Sequence, residues 1–141
     1  MDLPSRWLLF HAVIVLIVGL LAGIPYGIAI NQKKSEHIVN AWRLAHGSLS
    51  LGATMMFAVS AVLTHLLVGV TTKWLIVAAF VASGYSFCVA LPIAAWVGHR
   101  GLSWLRPTSN KIVYVGNSIG AWSSVGGALV LLYAAYESLR T

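Results

Sequence analysis

Four long runs without a charged residue dominate this sequence and limit what the chain can fold into. They cover residues 7–32, 44–72, 74–99 and 112–136. Each run exceeds the roughly 20 apolar residues that an α-helix needs to cross a bilayer. Membrane β-strands would need only about 10 residues and would alternate in polarity, which these runs do not. The sequence therefore predicts an all-α fold, an integral membrane four-helix transmembrane bundle.

The predicted helices form a single domain, 1–141, joined by short connections. They span about 7–30, 41–70, 74–98 and 112–136. The first run is too long for a signal peptide and lacks a small-residue cleavage site, so we expect it to be retained. Tryptophans at 7, 42, 74 and 96 fall near the predicted helix ends, where this residue prefers the membrane interface. The lipid bilayer is therefore the first expected partner.

Charge predicts the orientation of the bundle. Only 9% of the 141 residues are charged, against about 25% in soluble domains, and nine Lys and Arg outweigh three acidic residues. The basic residues lie in gaps between apolar runs rather than on one face, so we expect no nucleic-acid partner. Six fall in or beside two predicted connections: Lys33, Lys34, Arg43, Arg100, Arg106 and Lys111. The positive-inside rule places those connections in the cytoplasm and both termini outside.

Small residues at a spacing of four predict close helix contacts, because packing in lipid requires close backbone approach. They are Gly19, Gly23 and Gly27 in the first helix and Gly116, Gly120, Ser124 and Ala128 in the fourth. The spacing fits contacts within one chain and contacts between chains equally well. Four helices enclose little volume, so a homo-oligomer that shares a site between protomers fits the pattern.

The residues inside the predicted helices exclude several kinds of chemistry. None is acidic, which argues against a carboxylate proton relay, a calcium or magnesium cage and paired-carboxylate catalysis. The single cysteine, Cys88, excludes an intrachain disulfide. Histidine remains, with Tyr26, Tyr85, Tyr114 and Asn117 as polar neighbours.

The five histidines fall into two groups by predicted depth. His11 and His65 lie near the outer ends of helices 1 and 2. His46 lies about one turn inside the inner end of helix 2, with His37 in the adjoining loop and His99 ending helix 3. A neutral histidine inside a membrane span is a natural haem ligand, because imidazole binds iron without adding charge. The alternative is a histidine hydrogen-bonded to a carbonyl of a neighbouring helix, and the sequence leaves both interpretations open.

Three stretches resemble the bacterial styrene oxide isomerases, which are small four-helix membrane enzymes. They are AWRLAHGSLSLGATMMFAVSAVL around His46, HAVIVLIVGLLAGI from His11, and the segment from Gly84 through HRGLSW. The resemblance implies a trimer of the bacterial inner membrane that holds haem b near a subunit interface, with His46 as the iron ligand. Trp42 and His11 are the other candidate cofactor-binding residues.

The resemblance also implies a reaction. In the family, ferric haem acts as a Lewis acid on an epoxide oxygen, and a 1,2-hydride shift gives a carbonyl compound. The family's catalytic asparagine and tyrosine correspond here to Gly52 and Leu91. Their loss removes contacts worth about 2–4 kcal/mol each. Tyr85 and Tyr114 are candidate substitutes.

Three functions remain open at this point. The first is a haem b isomerase of a small apolar epoxide. The second is a haem protein without this chemistry, such as a sensor, a carrier or an electron-transfer subunit. The third is a cofactor-free membrane protein that assembles with a partner. The number of iron ligands separates the first two, and the absence of haem would indicate the third.

Overall fold

A computed structural model of the protein describes residues 1–98, 101, 104 and 107–140. In these residues α1 spans Leu3–Asn31, α2 Glu36–Leu63, α3 Val70–Val97 and α4 Thr108–Leu139. All four helices are apolar and long enough to cross a membrane. At about 1.5 Å per residue, the 28 residues of α2 extend about 42 Å, the thickness of a bilayer with its headgroups. The predicted all-α bundle is confirmed, and the chain is a multi-pass membrane protein.

The second helix lies closer to the N-terminus than predicted. It begins at Glu36, an acidic residue in the first turn, where the helix dipole favours negative charge. It ends at Leu63 rather than near residue 70. The prediction ran too far because the apolar run continues through the connection 64–69, which hydropathy does not distinguish from helix. Residues 71–73, predicted to be a connection, belong to the first turn of α3. His46 consequently lies ten residues inside α2, about three turns rather than one.

The four helices pack as two hairpins, α1 with α2 and α3 with α4. Because α3 also packs on α1 and α2, most of the apolar core lies among these three helices, and α4 adds Ala134 to it. Its buried side chains include Leu8, Val15, Leu49, Met56, Leu63, Ile76 and Phe80. Over its described length α4 packs against α3 but against neither α1 nor α2. One side of the bundle, between α2 and α4, is therefore left without a helix–helix contact.

Small residues make the predicted close contacts, although the positions differ in part. A Cβ at Gly19 would lie 2.9 Å from the backbone nitrogen of Ser50 in α2, whereas one at Gly27 would have nothing within 4 Å. The α4 glycines that face α3 are Gly116, Gly120 and Gly127. Ala128, predicted for this face, is exposed. Repeated steps of four rotate about 40° each around a helix, so a straight contact face needs a step of three as well.

The bundle has two ends that differ in their contacts. The terminal end carries the chain termini and connection 64–69, and the loop end carries connections 32–35 and 98–107. At the terminal end, the nearly buried Lys73 pairs with Asp2 at 2.7 Å, and Asp2 caps α1 by accepting from the backbone N–H of Ser5. At the loop end, Arg100, Arg106 and His99 of the sequence predictions lie outside the described residues. The orientation in the membrane stays a prediction.

Candidate functional site at His46

His46 lies on the side of α2 that faces α1. Its Nδ1 atom is 2.8 Å from the carbonyl oxygen of Gly19. A carbonyl oxygen can only accept a hydrogen bond, so Nδ1 carries the proton and donates it. In a neutral imidazole the other nitrogen, Nε2, is then unprotonated, and its lone pair can bind a metal.

The short connection between α1 and α2 explains this pairing. Residues 32–35 join the helices as an antiparallel hairpin, so residues at similar distances from the turn lie side by side. Gly23 lies eight residues before the end of α1, and His46 lies ten residues after the start of α2. A Cβ at Gly23 would be 3.2 Å from His46 Nδ1. The ring therefore packs closely on α1 at Gly23, where an added Cβ would press against the imidazole.

Two aromatic residues accompany His46. The ring of Tyr26 stacks on the imidazole, with centroids 6.3 Å apart and planes 22° from parallel. Tyr26 entered the sequence predictions only as a polar neighbour of the histidines. Its place three residues after Gly23, together with the hairpin register, is the signal that assigns it to this face. Trp42 is half-buried one turn before His46, on the same face of α2. Its predicted role in cofactor binding stays a prediction.

The structure separates His37 from His46, with which the sequence grouped it. His37 is exposed in the first turn of α2, about 13 Å from His46 along the helix axis. The other predicted neighbour, His99, lies outside the described residues. Among the residues that the structure describes, no three His, Cys, Asp or Glu side chains form a metal-binding group. Haem needs only one such ligand from a chain, and His46 can supply it.

His11 belongs to a different cluster, near the terminal end. Its Nδ1 atom is 2.7 Å from the hydroxyl of Tyr85 in α3, and its ring stacks on Trp7 at 5.5 Å. The sequence grouped His11 with His65, but His65 is exposed beyond the end of α2 and is not among these partners. His11 therefore faces α3 within the bundle.

The two positions aligned with the family's catalytic residues, Gly52 and Leu91, lie in different surroundings. A Cβ at Gly52, six residues after His46, would have nothing within 4 Å. Leu91 in α3 lines a cavity on another side of α2. Neither residue offers a hydrogen-bonding side chain to a bound molecule.

The candidate substitutes are both engaged elsewhere. The hydroxyl of Tyr85 contacts His11, and the ring of Tyr114 meets Trp104 edge to face at 5.9 Å near the loop end. Gly84, beside Tyr85, packs near Met56, ten residues further along α2 than His46. Tyr85 therefore lies about 15 Å from His46 along the bundle. The described polar ring that adjoins His46 is Tyr26 instead.

A cavity of about 750 Å³ lies between α2, α3 and α4. Its wall includes Arg43, Gly47 and Leu51 from α2, Leu91 from α3 and Asn117 from α4. His46 is not part of this wall, because its ring turns toward α1. The histidine and the cavity thus occupy different faces of the same helix.

The chain matches a known protein family. Residues 4–136, nearly the whole chain, match the family described as Styrene oxide isomerase. The matched region includes His46 and both helical hairpins. No curated protein matches the chain.

Proposed function

The chain belongs to the styrene oxide isomerase family, and we propose that it binds haem b with His46 as the iron ligand. The hydrogen bond from His46 Nδ1 to the Gly19 carbonyl oxygen carries this proposal. In the neutral imidazole this bond leaves Nε2 as the nitrogen with a free lone pair, as iron ligation requires, and it makes that nitrogen a stronger ligand. The alternative interpretation, a histidine held by a neighbouring helix carbonyl, accounts for Nδ1 but gives Nε2 no role.

The surroundings of His46 fit a bound group. The side chain is half-buried, so part of the ring is accessible at the helix surface. The hydroxyl of Ser50, one turn further along α2, is buried and has no hydrogen-bond partner among the described residues. Buried polar atoms of this kind are costly unless something satisfies them. As the resemblance implies, we also propose that the protein forms a homo-oligomer in the bacterial inner membrane.

The proposed reaction is the isomerisation of a small apolar epoxide to a carbonyl compound. Bound haem would supply a Lewis-acidic ferric iron for the epoxide oxygen. The chain itself holds the ligand ring through Gly19 and flanks it with Tyr26. A dry environment keeps water from adding to the opened ring, which favours a carbonyl product over a diol.

A haem protein without epoxide chemistry is the second candidate. Gly52 and Leu91 provide no polar side chain, and Tyr85 is held by His11. The chain therefore lacks, at these positions, the polar contacts that would stabilise the charge that develops as an epoxide opens. One histidine with an open position opposite also suits gas binding or sensing.

Absorption spectra of the detergent-purified protein, oxidised and reduced, test haem binding. We expect a Soret band that is lost in His46→Ala and kept in His65→Ala, because His65 is exposed beyond the end of α2. Product analysis with a panel of epoxides then separates the two candidates, since only the isomerase yields carbonyl compounds. A colourless wild-type protein, produced with ample haem, contradicts both and indicates the cofactor-free alternative.

A further inference from the structure

Tyr26 of α1 is the aromatic residue that lies beside His46. It comes three residues after Gly23, so both residues share the face of α1 that packs on α2. The phenol ring and the imidazole have centroids 6.3 Å apart and planes 22° from parallel, a stacked arrangement that aromatic rings favour. In the part of the chain that the structure describes, no other aromatic ring is paired with His46. Any ring contact that acts on this imidazole therefore comes from Tyr26.

The hydrogen bond to Gly19 does not by itself fix the plane of the His46 ring. It ties one atom, Nδ1, to the Gly19 carbonyl oxygen at 2.8 Å, and carbonyl oxygens accept hydrogen bonds over a broad range of directions. The terminal torsion of a histidine side chain is likewise broad. The ring can therefore tilt about Nδ1 while it keeps both its proton and its hydrogen bond.

Contacts on the ring of His46 restrict this tilt. Gly23 approaches two of its atoms, since a Cβ there would lie 3.2 Å from Nδ1 and 3.3 Å from Cε1. Tyr26 covers one face of the ring. The lone pair of Nε2 lies in the ring plane, so the orientation of that plane sets the direction in which this nitrogen can bind a metal. A tilted imidazole would point the lone pair away from a bound iron.

We infer that Tyr26 is a positioning residue for the iron ligand, because its ring fixes the plane of the His46 imidazole and thereby directs Nε2. This inference rests on the proposed function, since it concerns how the same ligand is held. The hydroxyl of Tyr26 forms no hydrogen bond with any residue that the structure describes, so the aromatic face carries the role. A preference of tyrosine for the membrane interface would account for the hydroxyl but not for the nearly parallel rings.

Two substitutions at Tyr26 separate the ring from the hydroxyl. Tyr26→Leu removes the aromatic face and keeps an apolar side chain, whereas Tyr26→Phe keeps the face and removes only the hydroxyl. Tyr133→Leu is the matched control, because Tyr133 is exposed on α4 and pairs with no aromatic ring of the described chain. All three variants are compared with the wild-type protein loaded with haem.

Two measurements report on the ligand. The rate of haem transfer to excess apomyoglobin measures how firmly the ligand is held, and electron paramagnetic resonance of the ferric protein measures how uniformly it is oriented. We expect Tyr26→Leu to lose haem about fivefold faster, the effect of one aromatic pair. Its resonance signals broaden, because the imidazole adopts more than one orientation. Tyr26→Phe and Tyr133→Leu behave like the wild-type protein in both measurements.

Three results overturn the inference and leave the proposed function intact, provided that the wild-type protein has a Soret band that His46→Ala loses. The first is a wild-type transfer rate and wild-type signals in Tyr26→Leu. The second is faster haem loss in that variant without broader signals, which indicates a general loss of stability. The third is Tyr26→Phe as impaired as Tyr26→Leu, which assigns the role to the hydroxyl. A wild-type protein that takes up no haem contradicts the proposed function, and the inference with it.

Discussion

His46 and His11 are both half-buried helical histidines with hydrogen-bonded Nδ1 atoms, yet their partners differ. His46 faces the Gly19 carbonyl oxygen, which can only accept, so the proton is fixed on Nδ1. His11 faces the Tyr85 hydroxyl, which can donate or accept and therefore fixes neither tautomer. Depth and burial are alike in the two histidines, and the partner of Nδ1 is the difference on which the proposed ligand role of His46 rests.

The regions around the two histidines also differ. Aromatic rings enclose His11 on several sides, with centroids of Trp7, Phe10 and Tyr85 at 5.4–5.5 Å. Polar contacts tie α1, α2 and α3 together nearby: Lys73 with Asp2, and the Ser60 hydroxyl with the Ser5 carbonyl. His46 instead rests on a glycine surface shared by two helices. These contacts favour a structural role for His11 and a ligand role for His46.

Crowding the ring of His46 is the change from which we expect the largest effect, a loss of haem. In Gly23→Leu the new side chain must displace the imidazole, because even its Cβ would lie 3.2 Å from Nδ1. We expect haem content to fall about tenfold or more, the range seen when the support of a metal ligand is lost. Pyridine haemochrome assays of the purified protein measure this. Gly27→Leu is the control, since nothing lies within 4 Å of that position; equal losses in both variants contradict the assignment.

Removing the partner of His11 gives a smaller and different effect. Tyr85→Phe deletes one part-buried hydrogen bond, so we expect a loss of about 1 kcal/mol in stability and an unchanged Soret band. Thermal unfolding in detergent and an absorption spectrum measure the two quantities. Tyr133→Phe, at an exposed position on α4, controls for the loss of a hydroxyl. A Soret band altered by Tyr85→Phe would show that His11 takes part in haem binding.

The pH dependence of stability at the terminal end is the smallest predicted effect. Burial raises the pKa of Asp2, but hydrogen bonds from Lys73 and Ser5 outweigh it and lower the pKa from 3.8 to about 2. A carboxyl with a lowered folded-state pKa stabilises the protein above pH 3.8, and this contribution disappears as the pH falls through about 2. Between pH 5 and pH 2, we expect the wild-type melting temperature to fall more than that of Asp2→Asn. If the melting temperatures of the two proteins fell in parallel, this account would be contradicted. Equal haem content in both proteins is the control.

The sequence predicted the elements better than their contacts. Four uncharged runs were enough for the bundle, because a bilayer sets the length of a spanning helix. The end of α2 could not be predicted, since residues 64–69 are as apolar as the helix before them. The contact between Tyr26 and His46 follows from the short hairpin connection.

Contacts between distant segments were beyond sequence patterns. His11 and Tyr85 meet across 74 residues of sequence, and the relative register of α1 and α3 is set by packing rather than by local periodicity. The cavity beside Arg43 exists because α4 packs on α3 and leaves α2 uncovered. Neither feature has a signal in spacing or composition.

The proposal that His46 is the iron ligand is tested most directly by replacing its side chain with free imidazole. His46→Gly removes the ligand but leaves space for added imidazole, so a change in folding is separated from the loss of the ligand. We predict that the purified variant lacks the wild-type Soret band and recovers it when haem and imidazole are supplied together. A full Soret band in His46→Gly without imidazole would contradict the assignment of His46 as the iron ligand.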